Sequence, residues 1–146
     1  MEDQEKMSLK LENQLCFPLY ACARKVTNLY TPYLKPLGLT YTQYVTFMVL
    51  WEKDGISIGE LGQTLYLDSG TLTPLLKKME EKGYVTRSRS AKDERVVTIH
   101  LTEKGYALKD QVADVPSKVG PCVKLSPEEG AALYDLLYRL LGNLQD

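Results

Sequence analysis

A chain of 146 residues with one histidine and three cysteines has few side chains to spend on metal or acid–base chemistry. His100 stands alone in a strand-like run and reads as structural. No Ser-His-Asp arrangement, P-loop or GxGxxG is present, so no cofactor and no metal are expected. The paired carboxylates Glu80-Glu81 and Glu128-Glu129 fall on helix faces that read as solvated. Cys16, Cys22 and Cys122 are unevenly spaced, which excludes a disulfide framework and points to the cytoplasm. No apolar run approaches the roughly 18 residues that span a membrane. The start, MEDQEKMSLK, has no apolar core of a secretion signal. Neither sign of charge dominates: the net of −1 excludes a wholly basic nucleic-acid protein. The charge is uneven, however. Tyr66 to His100 carries seven Lys/Arg against five Asp/Glu, a net of +2, which leaves −3 for the rest. That asymmetry favours a DNA-facing segment on an acidic body.

What is present is a stretch from Leu67 to Leu101 around which the chain is organised. LDSGTLTPLLKKMEEKG reads as a helix capped by Asp68-Ser69 and stopped by Gly83. Leu72, Leu75, Leu76 and Met79 recur at helical spacing and face inward. Ser69, Gly70, Thr71, Thr73, Lys77 and Lys78 form a small, polar, basic face that can approach phosphates and reach base edges. A hairpin follows, with Val85 to Arg89 and Arg95 to Leu101 as its strands. Arg87, Arg89, Lys92 and Arg95 cluster around it. A helix followed by a basic hairpin is the layout of a winged helix-turn-helix, with the helix in the major groove and the wing on the minor groove or backbone.

The length fits one domain. Residues 1 to about 10 read as a frayed or early-helical arm. A helical pattern runs from Leu11 to Leu34, capped by Asn13 and with its regular part starting near Asn13–Phe17, since Pro18 is tolerable only in a first turn. Pro32 and Pro36 kink or end it. Thr40-Tyr41-Thr42-Gln43 is a capping box that opens a second helix, with Tyr44, Phe47, Met48 and Trp51 inward. Ser57-Ile58-Gly59-Glu60 is another, opening a short helix that ends two or three residues before Asp68, the tight helix-turn-helix spacing. Ile56 is expected to add a third, very short strand to the hairpin. Thr102 caps a helix to about Val115, Pro116 stops it, and Ser117 to Val123 reads as a loop. Ser126-Pro127-Glu128-Glu129 starts a last helix whose leucines, Leu133, Leu136, Leu137, Leu140, Leu141 and Leu144, form a face broad enough to bury against a second subunit.

The remaining chemistry is that of a thiol. Cys16, in NQLCFPLY, falls in or just before a first helical turn, where unpaired N–H groups and the helix dipole favour an anion. A thiolate there could attack a peroxide to give a sulfenic acid, and tyrosine hydroxyls could hold it by hydrogen bonds. The ordinary alternative is an inert core cysteine. Cys22 lies on a different helix face and reads as core. Cys122, in the loop, would be reachable as a resolving thiol.

LENQLCFPLY, LYLDSGTLTPLLKKMEEKGYVTR, the Asp93-x-Arg95 wing and LTEKG closely resemble the MarR family, and the NQLCF run resembles its organic hydroperoxide resistance branch. The resemblance spans about Leu11 to Leu144. It implies a mainly α fold with a small β-wing, in which residues 1–37 and 102–146 are dimerisation helices and 38–101 the winged helix-turn-helix. It implies a homodimeric repressor of pseudo-palindromic double-stranded DNA, not an enzyme, released by an organic hydroperoxide. Cys16 would be the peroxidatic thiol. Tyr30 and Tyr41 of the partner subunit would hydrogen-bond it, with Tyr20 assisting. Arg95 would reach the minor groove and Asp93 would orient that region. The branch has one-Cys and two-Cys members, and Cys122 sits where the second cysteine of an intersubunit disulfide belongs. Pro18 departs from the regular helix expected there. Two other readings stay open: a repressor released by a small aromatic ligand with Cys16 structural, and a thiol peroxidase that turns over.

Overall fold

The computed structural model describes residues 1–145. The chain forms two units, Met1–Asp114 and a second that begins at Val115. The first holds α1 (Glu2–Ser8), α2 (Cys16–Asn28), α3 (Thr31–Leu34), α4 (Tyr41–Glu52), β1 (Ile56–Ser57), α5 (Ile58–Leu65), α6 (Ser69–Glu81), β2 (Val85–Arg89), β3 (Val97–Leu101) and α7 (Glu103–Val112). The second holds α8 (Val115–Val119), a short 3-10 turn over Gly120–Val123, and α9 (Pro127–Asn143). The fold is mainly helical with one small antiparallel sheet of order β1-β3-β2.

Most helix starts are set by short polar side chains that satisfy the free N–H groups of a first turn. Thr40 Oγ1 accepts from Gln43 N at 3.2 Å while Gln43 Oε1 accepts from Thr40 N at 3.1 Å, a complete capping box. Ser57 caps α5, Asp68 caps α6, Thr102 caps α7, and Ser126 with Glu129 forms a second box at α9. The sheet is the expected hairpin plus the short third strand: Val85 pairs with Leu101, Arg89 with Val97, and Ile56 with Ile99.

The core of the first unit lies between α4, α6 and the inner face of the sheet, where Phe47, Leu50, Leu61, Leu72, Leu76, Met79 and Ile99 are fully buried. Phe47 stacks on Trp51 at 5.6 Å and meets Tyr84 edge-on at 5.3 Å. The Trp51 indole N–H donates to the Gly105 carbonyl at 3.0 Å, tying α4 to α7. Two glycines permit backbones to touch. A Cβ on Gly62 would stand 2.6 Å from the Leu67 carbonyl oxygen, and one on Gly105 would stand 2.3 Å from that of Tyr84. The first contact lets the turn between α5 and α6 close tightly, with Tyr66 in the left-handed region.

Several expectations are corrected. The helix over Leu11 to Leu34 is broken into a 3-10 turn (Leu11–Asn13), α2 and α3. Asn13 does not cap it; its amide donates to the Met7 carbonyl at 2.6 Å, and α2 starts without a side-chain cap. The break comes just before Pro32, with α2 ending at Asn28 and Pro32 standing in the first turn of α3. Met48 faces outward, and Gln43 and Thr46 are buried instead. Leu75 is only half-buried. The second wing strand begins at Val97, not Arg95. Pro116 lies in the first turn of α8, where a missing N–H is harmless, so Ser117 to Val123 is helical and not a loop. Pro74 lies inside α6 and leaves the Gly70 carbonyl without its N–H partner one turn on.

Candidate DNA interface and thiol site

α6 presents Ser69, Gly70, Thr71, Thr73, Lys77 and Lys78 at its exposed face, opposite buried Leu72, Leu76 and Met79. Asp68 Oδ1 accepts from Thr71 N at 2.7 Å, so the helix start is pinned while its hydroxyls stay outward. Between this start and the wing lies a groove of about 380 Å³ lined by Ser57, Ile58, Gly59, Ser69, Thr73, Arg95, Val96 and Val97. Sequence reasoning missed Ser57, Ile58 and Gly59 here. Their capping motif signalled a helix start, but not that the start would face the same groove as α6.

The wing's basic residues divide into two groups. Arg95 is 91 % exposed in its side chain and is aimed by Asp93, which accepts from Arg95 N at 3.0 Å, Nε at 3.1 Å and Nη2 at 3.3 Å. Those bonds hold the Asp93 carboxyl below the usual carboxylate range. Lys92 is exposed, at a turn where its N–H donates to Ser90 Oγ. Arg89 donates to the Glu94 carbonyl at 2.8 Å and braces the loop. Arg87 differs from the sequence expectation of an outward cation: its guanidinium and backbone N–H are all turned to Glu80. His100 faces Asp54 at 3.5 Å, and Asp54 also accepts from Leu101 N at 2.7 Å, a structural tie at the root of the wing.

Cys16 is the first residue of α2 and is exposed, as are Cys22 and Cys122. Cys22, read as core from its helix face, is exposed in the single chain. Around Cys16 the chain exposes apolar surface: Leu15 is 85 % exposed, Phe17 43 % and Leu19 41 %. Pro18 falls in the first turn, so α2 continues through it. Tyr20, one turn beyond Cys16, lies under the Arg24 guanidinium at 5.6 Å. Tyr30 and Tyr41 are brought together, with ring centroids 4.9 Å apart, and both pack on Tyr44. Tyr44 is buried, its hydroxyl has no hydrogen-bond partner among the described residues, and burial pushes its pKa up to about 12. Burial, with Tyr30 beside it, also raises Tyr41. One chain thus assembles the tyrosine cluster and leaves Cys16 and Tyr20 exposed. In the second unit Cys122 donates its S–H to the Lys118 carbonyl at 3.5 Å.

Among the described residues no helix is long and apolar enough to cross a membrane. A family model described as transcriptional regulator SarA/Rot matches residues 28–112. The chain is 48 % identical over 136 residues to an organic hydroperoxide resistance transcriptional regulator of Bacillus subtilis, covering 93 % of this chain and 92 % of the relative. It is similar to AbfR of Staphylococcus epidermidis, solved in reduced form on DNA (TM-score 0.78, 33 % identity, 98 % of this chain and 99 % of that one). The disulfide form of AbfR is similar at TM-score 0.63, again with 33 % identity, over 97 % and 99 % of the two chains. The groove-flanked helix, the Asp93-aimed wing and these likenesses agree: the chain belongs to the MarR/SarA family of winged-helix, DNA-binding transcriptional regulators, in its organic hydroperoxide resistance branch.

Proposed function

We propose that the chain is a homodimeric repressor in the cytoplasm that holds a pseudo-palindromic operator when reduced and lets it go when an organic hydroperoxide oxidises Cys16. In this reading 38–101 is the reader, and 1–37 with 102–146 make the dimer. Thr71, Thr73 and Lys78 meet the major groove, Ser69, Gly70 and Lys77 follow the backbone, and Arg95 reaches the minor groove from its Asp93 brace. The observation that carries the proposal is that one chain joins this reader to an exposed thiol at a helix start, ringed by exposed apolar side chains. Such a surface suits a lipophilic peroxide, and it is unfavourable to leave open.

The chemistry is a two-step exchange. The Cys16 thiolate attacks the terminal oxygen of the hydroperoxide; the O–O bond breaks, an alcohol leaves after taking a proton, and Cys16 becomes a sulfenic acid. The Cys122 thiol of the other subunit then attacks that sulfur, expelling water and forming a disulfide. Tyr30 and Tyr41 from the partner, with Tyr20, hydrogen-bond the thiolate and lose it on oxidation. The new crosslink shifts the readers out of half-site spacing. AbfR, solved reduced on DNA and as a disulfide, supports such a cycle.

The test is non-reducing electrophoresis with thiol mass spectrometry after one equivalent of an organic hydroperoxide, read beside DNA release. A covalent dimer linked Cys16 to Cys122 is expected. Sulfenic acid or a mixed disulfide at Cys16 alone would make the protein a one-Cys sensor. An untouched Cys16, with release instead by a phenolic compound, would replace the proposal with ligand gating. Cys16→Ser is expected to bind DNA and keep it through peroxide treatment.

A further inference from the structure

Glu80 lies in the last turn of α6, and Arg87 is the third residue of β2. One carboxylate takes three hydrogen bonds from that one arginine. Glu80 Oε2 accepts the Arg87 backbone N–H at 3.0 Å, while Oε1 accepts Nε at 3.3 Å and Nη2 at 3.1 Å. The two side chains are 38 % and 28 % exposed, so the pair is partly withdrawn from water and its charges are less screened than at an open surface. The hydrogen bonds from Arg87 hold the Glu80 carboxyl below its ordinary range.

The backbone bond makes this more than a surface ion pair. β2 is an edge strand in the order β1-β3-β2, so an outward N–H on it has no ladder partner. Glu80 supplies that partner from α6. The end of the DNA-facing helix is therefore fastened to the main chain of the wing, and at the same time Arg87's fork is turned away from any phosphate. The opposite arrangement is seen at Arg95, whose partner Asp93 lies within the wing itself and leaves the guanidinium 91 % exposed. Arg95 is presented outward; Arg87 is drawn inward.

We propose that Glu80 and Arg87 are positioning residues for DNA reading: the pair sets the angle of the wing on the recognition helix, and Arg87 acts through Glu80, not on DNA. This rests on the reading that the chain binds DNA. A wing held at one angle lets α6 and Arg95 reach adjacent grooves together, so the pair bears on discrimination between sequences more than on general attraction to phosphates.

The test uses the full chain, a duplex that the wild-type protein enriches from a random-sequence pool, and an unselected duplex, with affinities measured across a KCl titration and thermal melts recorded for each variant. Glu80→Gln and Arg87→Gln are each expected to weaken binding to the selected duplex about tenfold, as for loss of charge-assisted bonds. Binding to the unselected duplex should change little, and the salt slope should stay that of the wild type. Arg87→Lys, which keeps the charge but loses the fork, should behave like Arg87→Gln. The double variant should be no weaker than either single one. A phosphate contact at Arg87 predicts otherwise. Arg87→Gln would then lower the salt slope by about 0.9, Arg87→Lys would retain binding, and Glu80→Gln would tighten it by freeing a cation. Those results, or unchanged binding in all variants, would overturn the proposal while leaving the DNA-binding reading intact. A wild-type protein that enriches no sequence would remove both.

Discussion

The two ends of this chain and its middle are built to different degrees of completion. The middle, from Thr40 to Thr102, closes on itself. Its helices are capped, its sheet edge is answered by Glu80, and its core residues are sealed within one chain. α2 and α9 are unfinished by comparison. Neither contains a buried residue, and α9 exposes Leu133, Leu136 and Leu140 beside Tyr134 and Tyr138, each of those tyrosines more than half exposed. A capping box and a Pro at its start show that α9 is specified as a helix by its own sequence. The winged part is thus closed within one chain, whereas the surface around Cys16 and the leucine face stay exposed, as the proposed homodimer requires.

That contrast can be broken most severely at Gly105. Gly105→Ala drives a methyl into the Tyr84 carbonyl, and a loss of about 4 kcal/mol in the stability of the first unit is expected by chemical denaturation. An unaffected melt would mean that this crossing is looser than described. Next is the other side of the comparison. Leu136→Glu with Leu140→Glu should leave the reader folded but raise the dimer dissociation constant about a hundredfold, seen by sedimentation. A dimer that persists would show that the leucine face is not its seam. Smaller is Thr40→Ala, expected to cost about 1 kcal/mol in the first unit's melt and nothing in dimer affinity.

The smallest effect concerns pH. Glu80 titrates below its ordinary value of 4.5 in the folded chain, chiefly through its hydrogen bond from Arg87. Its contribution is present above that ordinary value and is lost as pH falls through the lowered folded one. The Arg87 amide resonance should therefore hold steady at neutral pH and shift only on acidification below about 4.5. A shift centred near neutrality would exclude Glu80 as the group responsible.

What could be read from sequence follows the same division. Thr40 with Gln43, Ser57 with Glu60, Asp68 with Thr71 and Ser126 with Glu129 are all contacts over three residues, and their geometry is local enough for spacing alone to reveal them. Ile99 and Leu101, two residues apart on β3, are both buried, since alternate residues of a strand share a face. Asp93 and Arg95 were marked by the resemblance, and the structure adds the ion pair between them. Where the reading failed, the deciding partner lay on another element. Asn13 has the right chemistry for a cap, yet its amide is taken by the Met7 carbonyl. Met48 fits the helical stripe, but α4 turns Gln43 and Thr46 inward instead. Arg87 looked like one of four equivalent cations until Glu80, across a turn, claimed it. The Tyr30–Tyr41–Tyr44 cluster was half visible: the resemblance named two of its rings, and packing added the third.

Ser57 fills two places at once. It pairs with Thr98 on β3 and its hydroxyl caps α5 through Glu60 N at 3.1 Å. The pairing of β1 with β3 joins residues some forty positions apart, whereas the β2–β3 hairpin closes a loop of only a few, so the entropy of closure puts the hairpin first and β1 last. The docking of two residues, Ile56 and Ser57, onto β3 thus ties the chain just ahead of α5 to the strand that follows α6, with one serine serving as strand partner and helix cap together.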